Sequence, residues 1–166
     1  MWYRDYMNSP RIRPLIILIL TTLLLFLFIS CSNSQILICI RVVDGDTIVL
    51  NNGEKVKLIG VDTPETKHPQ KPVEYYGKEA TAFTNKMVGG KVVKLKYDMQ
   101  KRDKYGRLLA YVYLMDGTFL NAEIIKQGYG HAYIKLPFKY LEQFRQYEKD
   151  AREAKRGLWA DNPSKE

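Results

Sequence analysis

An α+β fold is predicted for residues 36–160, with the element order three strands, one helix, two strands and then further helices. Three observations predict it. Runs dense in Ile and Val, broken by Asp-Gly and Asn-Gly, extend from Gln35 to Asp62. The apolar spacing then changes to three and four residues after Val73, and strand-like runs return between Lys91 and Leu120 before two more helical stretches. A chain of 166 residues is long enough for one domain and short for two separate cores. No repeat, low-complexity tract or linker divides the stretch 36–160, and residues 161–166 read as a C-terminal tail.

The elements follow in order. "NNGE", residues 51–54, is a hairpin turn between "TIVL" and "KVKLIG", because Asn and Gly tolerate positive φ. The earlier Asp44-Gly45 reads instead as a kink in one continuous strand path, since Val43 and Thr47 lie in equally β-prone runs. Cys39, within "ILICIRVV", reads as a buried strand residue. "VEYYGKEATAFTNKMV", residues 73–88, places Tyr76, Ala80, Phe83 and Met87 on one helical face and stops at Gly89 and Gly90. "KVVKLKYD" and "GRLLAYVYLMDGTFL" are the two later strands, the second with a Met-Asp-Gly turn at 115–117. "FLNAEIIKQG" is a short helix with Gly128 beyond its end, and "KYLEQFRQYEKDAREAKRG" a longer one with Phe144, Tyr147 and Ala151 inward. A five-stranded OB barrel has this order, as do other five-stranded α+β folds; OB barrels commonly carry oligonucleotide or oligosaccharide sites.

The first 30 residues differ in kind. Arg11 and Arg13 precede an apolar run from Leu15 to Ser30, which ends at Cys31 and polar residues. This is the grammar of a secretory signal, and about 20 apolar residues are wanted for a permanent span. "FISC" resembles a bacterial lipobox with Phe28 where leucine is more usual; cleavage there would leave Cys31 lipidated. Three outcomes are open: a lipoprotein tethered through Cys31, an uncleaved membrane anchor, or a freely secreted protein. Residues 1–30 are thus a signal peptide or anchor and 31–35 a short tether. The two cysteines, Cys31 and Cys39, exclude a disulfide framework.

The chain carries a net charge of +8. Removal of residues 1–30 takes away Arg4, Arg11, Arg13 and Asp5 and leaves +6, so the domain stays basic and suited to a polyanion such as nucleic acid, anionic lipid or an acidic glycan. Against that background two constellations stand out. Asp44, Asp46 and Asp62 lie at strand ends or kinks, with Glu65 on the next turn. If the hairpin sets Asp46 beside Asp62, the pair makes a hard-oxygen site for Ca²⁺ or Mg²⁺ that a carbonyl and water complete. Taken alone, each piece has a plain structural reading: Asp-Gly as a turn, and "DTPE" as a helix start capped by Thr63. The second constellation, "KRDKYGRLLAY", interleaves Lys101, Arg102, Lys104 and Arg107 with Tyr105, a pattern suited to a phosphate backbone and a stacked base; a solvated basic hairpin is the alternative.

"VVDGDT", "LIGVDTPETKHP", "YGKEATAFTNKMV", "DKYGRLLAYVY" and the closing "KRGLW" together resemble the thermonuclease, or staphylococcal nuclease, family, in order, from about Val42 to Trp159. The resemblance implies an OB barrel with three helices and a Ca²⁺-dependent phosphodiesterase that cuts DNA and RNA, preferably single-stranded, to 3′-phosphate ends. It implies Asp46 and Asp62 as metal carboxylates, the Thr63 carbonyl as a further ligand, and Asp44 as an outer carboxylate acting through water. Glu65 matches the carboxylate that activates or orients water, Arg107 the arginine that clamps the phosphate, and Lys104 and Tyr105 substrate contacts. The family's second arginine, five residues before the "DTPE" aspartate, is here Lys57; a point charge cannot grip two oxygens in a planar fork, so a slower phosphoryl step is expected. "QGYGHAYIKLPFKY" departs from the family's tyrosine-rich segment: Tyr129 or Tyr133 is a candidate to stack on a base, with buried packing the alternative. His68 and His131 have no evident partner for general-base work and read as surface residues. The expected protein is an exported, monomeric nuclease, tethered to a membrane through Cys31 or its apolar segment; the alternative is an OB-fold surface lipoprotein that binds nucleic acid without cutting it.

Overall fold

Asp44, Gly45 and Asp46 make the first sharp reversal of the chain. In the computed structural model, which describes residues 36–66 and 72–160, strand β1 (Leu37–Asp44) ends there and β2 (Thr47–Leu50) returns antiparallel to it. The Asp-Gly is therefore a hairpin turn and not the kink expected from sequence. Asp44 Oδ1 accepts the Asp46 N–H at 3.2 Å, the side-chain-to-backbone bond by which aspartate closes turns. Bends do occur in β1, but as register shifts at 39–41 and 42–44. Gly45 is required by close approach: a Cβ there would meet Thr63 Cγ2 at 2.8 Å and Ala80 Cβ at 2.9 Å. The Thr84 hydroxyl, fully buried, donates to the Gly45 carbonyl at 2.6 Å and pins the turn to the helix.

The Asn52-Gly53 hairpin leads to β3 (Lys55–Leu58), with Gly53 at φ +83° as the turn demands. A short β4 (Val61–Asp62) follows, then helix α1 (Gly77–Val88), β5 (Val92–Lys96), β6 (Leu108–Leu114), α2 (Leu120–Lys126), a short β7 (His131–Ala132) and α3 (Leu141–Glu153); a single 3₁₀ turn covers Gly157–Trp159. The strands close in the order β1-β2-β3-β6-β5, with β5 returning to β1. Closure depends on β3 and β6 running parallel, Val56 against Leu108. This five-stranded barrel with three helices is the OB-type α+β architecture that the element order predicts. β4 and β7 form a separate two-stranded ladder that pairs Asp62 with His131. "DTPE" starts no helix, so Thr63 is not a cap.

α1 begins four residues later than its apolar spacing suggests, because Tyr76 adopts a left-handed φ of 66° just before it. Its fully packed positions are Ala80, Thr84 and Val88, with Phe83 and Met87 partly buried beside them. Tyr76 instead stacks on Tyr129, which also stacks on Phe83 at 4.1 Å. Tyr129 is thereby a packing residue. Phe144 and Ala151 of α3 are fully buried, Tyr147 partly so, and Cys39 lies inside the barrel.

One buried polar residue holds the barrel to α2. Asn121 donates to the carbonyls of Ile59 (2.9 Å) and Ala110 (3.2 Å) and accepts the Val112 N–H at 2.9 Å. Asn121→Ala is expected to lower unfolding stability by about 3 kcal/mol, measured by urea denaturation, because groups left without partners in a dry core forfeit their hydration as well. Among the described residues no helix is long and apolar enough to cross a membrane. The N-terminal signal or anchor, Cys31 and His68 lie outside the described residues.

Candidate active site

Three pieces of backbone bring the predicted acids together. The β1–β2 turn carries Asp44 and Asp46, β4 carries Asp62, and the extended stretch after it carries Thr63, Pro64 and Glu65. Lys57 stands on β3 opposite Thr47 and is thus beside Asp46. Arg107 enters from the residue before β6, which is adjacent to β3. These side chains, with Glu74 and His131, line one cavity of about 360 Å³.

Asp46 is the anchor. Its side chain is 4% exposed; Oδ2 lies 2.5 Å from the Lys57 ammonium and accepts the Thr63 N–H at 2.9 Å, while Oδ1 accepts the Thr47 hydroxyl at 3.0 Å. Burial pushes this carboxyl up, but the charge and hydrogen bond of Lys57 and the Thr63 N–H outweigh it and hold Asp46 below the ordinary carboxylate range. Asp44 has the opposite balance: burial first, then the charge of Asp46, push it up to about 7. Burial also raises Asp62, against the opposing pull of Lys57.

A pH prediction follows from Asp44. Because its folded value lies above the ordinary carboxylate value of 3.8, the native state binds its proton more tightly than the unfolded chain does. The contribution to stability is whole below about pH 4 and is lost as pH rises through 7. Asp44→Asn keeps the oxygen that accepts the Asp46 N–H and removes the charge. In chelator at pH 8 it is expected to be more stable than the parent by roughly 2–4 kcal/mol, with no gain at pH 4, as read from urea unfolding at both pH values.

Glu65 sits on the cavity wall. Its Oε1 accepts the Thr66 N–H at 2.9 Å, and its backbone is doubly tied to Glu74: Glu65 N–H donates to Glu74 Oε2 and Glu74 N–H to the Glu65 carbonyl, both at 3.0 Å. Arg107 is held by Asp103, which accepts its Nε–H at 2.7 Å and its backbone N–H at 3.0 Å. The terminal nitrogens of the guanidinium are then the ones left to reach an anion in the cavity. The Tyr105 ring, 72% exposed, lies 5.0 Å from the Lys104 ammonium and 5.5 Å from the Arg107 guanidinium carbon.

Of the residues expected from sequence, Asp44, Asp46, Lys57, Asp62, Thr63, Glu65 and Arg107 share the cavity. Lys104 and Tyr105 lie outside the lining, the Tyr105 ring beside Arg107 and the Lys104 ammonium beside that ring. Tyr133 lies outside the lining, partly exposed beside the Lys135 ammonium at 5.9 Å. Asp103, Glu74 and His131 were not anticipated. Asp103 had a usable signal, an aspartate opening a Tyr-Gly turn four residues before an arginine; Glu74 had none. His131 is exposed as expected, yet it lines the cavity opposite Asp62, with Nδ1 3.4 Å from Glu148 Oε1 and its ring edge-on to Trp159.

The donor set suits a hard divalent cation. Carboxylates from three strand ends line one cavity, and burial makes Asp44 and Asp62 hold protons more strongly than usual even with the Lys57 charge beside them. The buried Thr63 hydroxyl has no hydrogen-bond partner. Among the described residues no group of three or more acidic, histidine or cysteine side chains is arranged to hold a metal ion by itself; a cation here would also need the Thr63 carbonyl and water.

Residues 55–161 match the family profile described as Staphylococcal nuclease homologue. The chain is 42% identical over 137 residues to a thermonuclease of Staphylococcus hyicus, covering 80% of each chain. It is 45% identical over 123 residues to a thermonuclease of Staphylococcus intermedius, covering 72% of this chain and 73% of that one. It is also 43% identical over 126 residues to the endonuclease YncB of Bacillus subtilis, covering 72% and 59%. A profile match over more than half the chain, the closed five-stranded barrel and this breadth of identity agree: the chain belongs to the staphylococcal nuclease family.

Proposed function

We propose that this protein, a hydrolytic nuclease by its kinship, is a Ca²⁺-dependent phosphodiesterase that cuts DNA and RNA, single strands preferentially, to 3′-phosphate ends. The observation that carries the reading is the convergence of Asp46, Asp62, Glu65 and Arg107 on one cavity. Attack on a phosphodiester adds negative charge to the non-bridging oxygens, so groups that meet this charge lower the barrier more than they favour the bound substrate. Asp46, Asp62 and the Thr63 carbonyl would hold the cation, with Asp44 reaching it through water. When bound, the ion supplies positive charge beside the phosphate. Arg107 offers two N–H groups to the same phosphate from the β6 side. Glu65 accepts a proton from the attacking water as its oxygen bonds to phosphorus; the P–O5′ bond breaks and the 5′-oxygen leaves as a hydroxyl, protonated from solvent. Tyr105, exposed and flanked by Lys104, offers a stacking face for a neighbouring base.

Initial rates on a fluorogenic single-stranded oligonucleotide, with Ca²⁺ and then with chelator, test the reading. Cleavage is expected to vanish in chelator and return with added Ca²⁺; cleavage that persists in chelator counts against the ion. The protein acts as a monomer and is exported, tethered through a lipidated Cys31. Support for the tether is the sequence alone: Arg11 and Arg13, the apolar run and "FISC". Mass spectrometry of the mature N-terminus decides it, since a diacylglycerol mass on Cys31 separates a lipoprotein from a retained anchor or a free N-terminus.

A further inference from the structure

Lys57 has an observed partner that differs from its expected role. Expected beside phosphate, its ammonium sits 2.5 Å from Asp46 Oδ2, with its side chain 22% exposed and that of Asp46 4%. The placement comes from the backbone. Lys57 opposes Thr47 in the β2–β3 ladder, and Leu58 N–H donates to the Asp46 carbonyl at 2.9 Å, so the two side chains are set side by side by barrel register. The charge of Lys57 is also felt by Asp44 and Asp62. It therefore occupies the electrostatic centre of the acids that would hold the cation.

We propose that Lys57 is an internal counter-ion: in the ion-free protein its ammonium neutralises Asp46, and it must leave that carboxylate for a divalent cation to take its place. The inference rests on the metal reading above and goes beyond it. Two positive groups cannot share one buried carboxylate oxygen without strong repulsion. Binding of the ion therefore includes the cost of breaking the Lys57–Asp46 pair, and a displaced ammonium becomes available to the incoming phosphate. Without the lysine, the ion-free protein keeps the buried Asp46 carboxylate beside Asp44 and Asp62 with its ion-pair partner gone, a state that is costly to fold. A salt bridge that served only to brace β2 against β3 would stabilise the fold equally with and without the ion.

The test compares the full chain with Lys57→Met and Lys57→Gln by titration calorimetry with CaCl₂, and by thermal unfolding in chelator and in saturating Ca²⁺; Asp62→Asn marks the site. Both Lys57 variants are expected to bind Ca²⁺ roughly tenfold or more tightly than the parent. In chelator their Tm is expected to fall by about 5 °C or more, and saturating Ca²⁺ to close most of that gap. Should Lys57→Met be unfolded in chelator, folding on addition of Ca²⁺ is the expected result, and failure to fold at saturating ion overturns the exchange. Folded variants that bind Ca²⁺ no more tightly than the parent, with a Tm gap that the ion leaves unchanged, also overturn it. If no protein takes up Ca²⁺ and the parent cleaves in chelator, the metal reading fails and the exchange with it, an outcome distinct from equal binding by all.

Discussion

Arg107→Lys is expected to lower kcat on a single-stranded oligonucleotide by about a thousandfold, roughly 4 kcal/mol of transition-state stabilisation, while KM changes by less than about tenfold. The guanidinium has five N–H groups in a rigid fork. Asp103 takes the Nε–H and leaves the terminal nitrogens to grip two oxygens of one phosphate. A lysine at this position has one point of charge on a flexible stem and cannot make both contacts as the phosphate gains charge. The loss falls on kcat because those contacts tighten in the transition state. Asp103→Asn, which loosens the clamp without removing it, is expected to cost about tenfold. A large rise in KM with kcat unchanged in Arg107→Lys would place the residue in ground-state binding instead.

Glu65→Gln is expected to reduce kcat by about a hundred- to ten-thousandfold, the range for loss of a positioned proton acceptor. Gln keeps the oxygen that accepts the Thr66 N–H, and the backbone bonds to Glu74 do not involve the side chain of Glu65. The variant is expected to fold and to match the parent in Ca²⁺ affinity. Unchanged kcat in a correctly folded variant rules Glu65 out as the group that handles water. A fall in both activity and Ca²⁺ binding places it instead among the groups that hold the ion.

Much of the site was legible because its local chemistry is strong. The Asn-Gly turn and the glycines at 89, 90, 117 and 128 punctuate the chain where the structure turns, and the candidate acids stood out as short acidic motifs, Asp44-Gly45-Asp46 and Asp62-Thr63-Pro64-Glu65. Asp44-Gly45 misled because β-branched residues flank it on both sides and a local reading has no means of telling a bend from a reversal. Gly45 is there because Thr63 and Ala80 press against it, and both are distant in sequence. α1 lost its first turn to the left-handed Tyr76, whose ring is claimed by Tyr129. His131 and Glu74 gave no warning because neither sits in a periodic run. They become site residues through the two-residue β4–β7 ladder and the Glu65–Glu74 backbone pair.

From the order of residues alone came the barrel strands and the helices, most of the turns, the basic charge and the identity of the groups able to meet a cation and a phosphate. Those depend on properties each residue carries with it: φ preference, apolar spacing, ionisation. The tertiary structure decided who faces whom. Asp46 meets Thr63 across 17 residues and Lys57 through the β2–β3 ladder, while Arg107 arrives only because β3 and β6 close the barrel in parallel. Such pairings depend on strand register, which moves every side chain to the opposite face if it slips by one residue, and register is settled by the packed core as a whole.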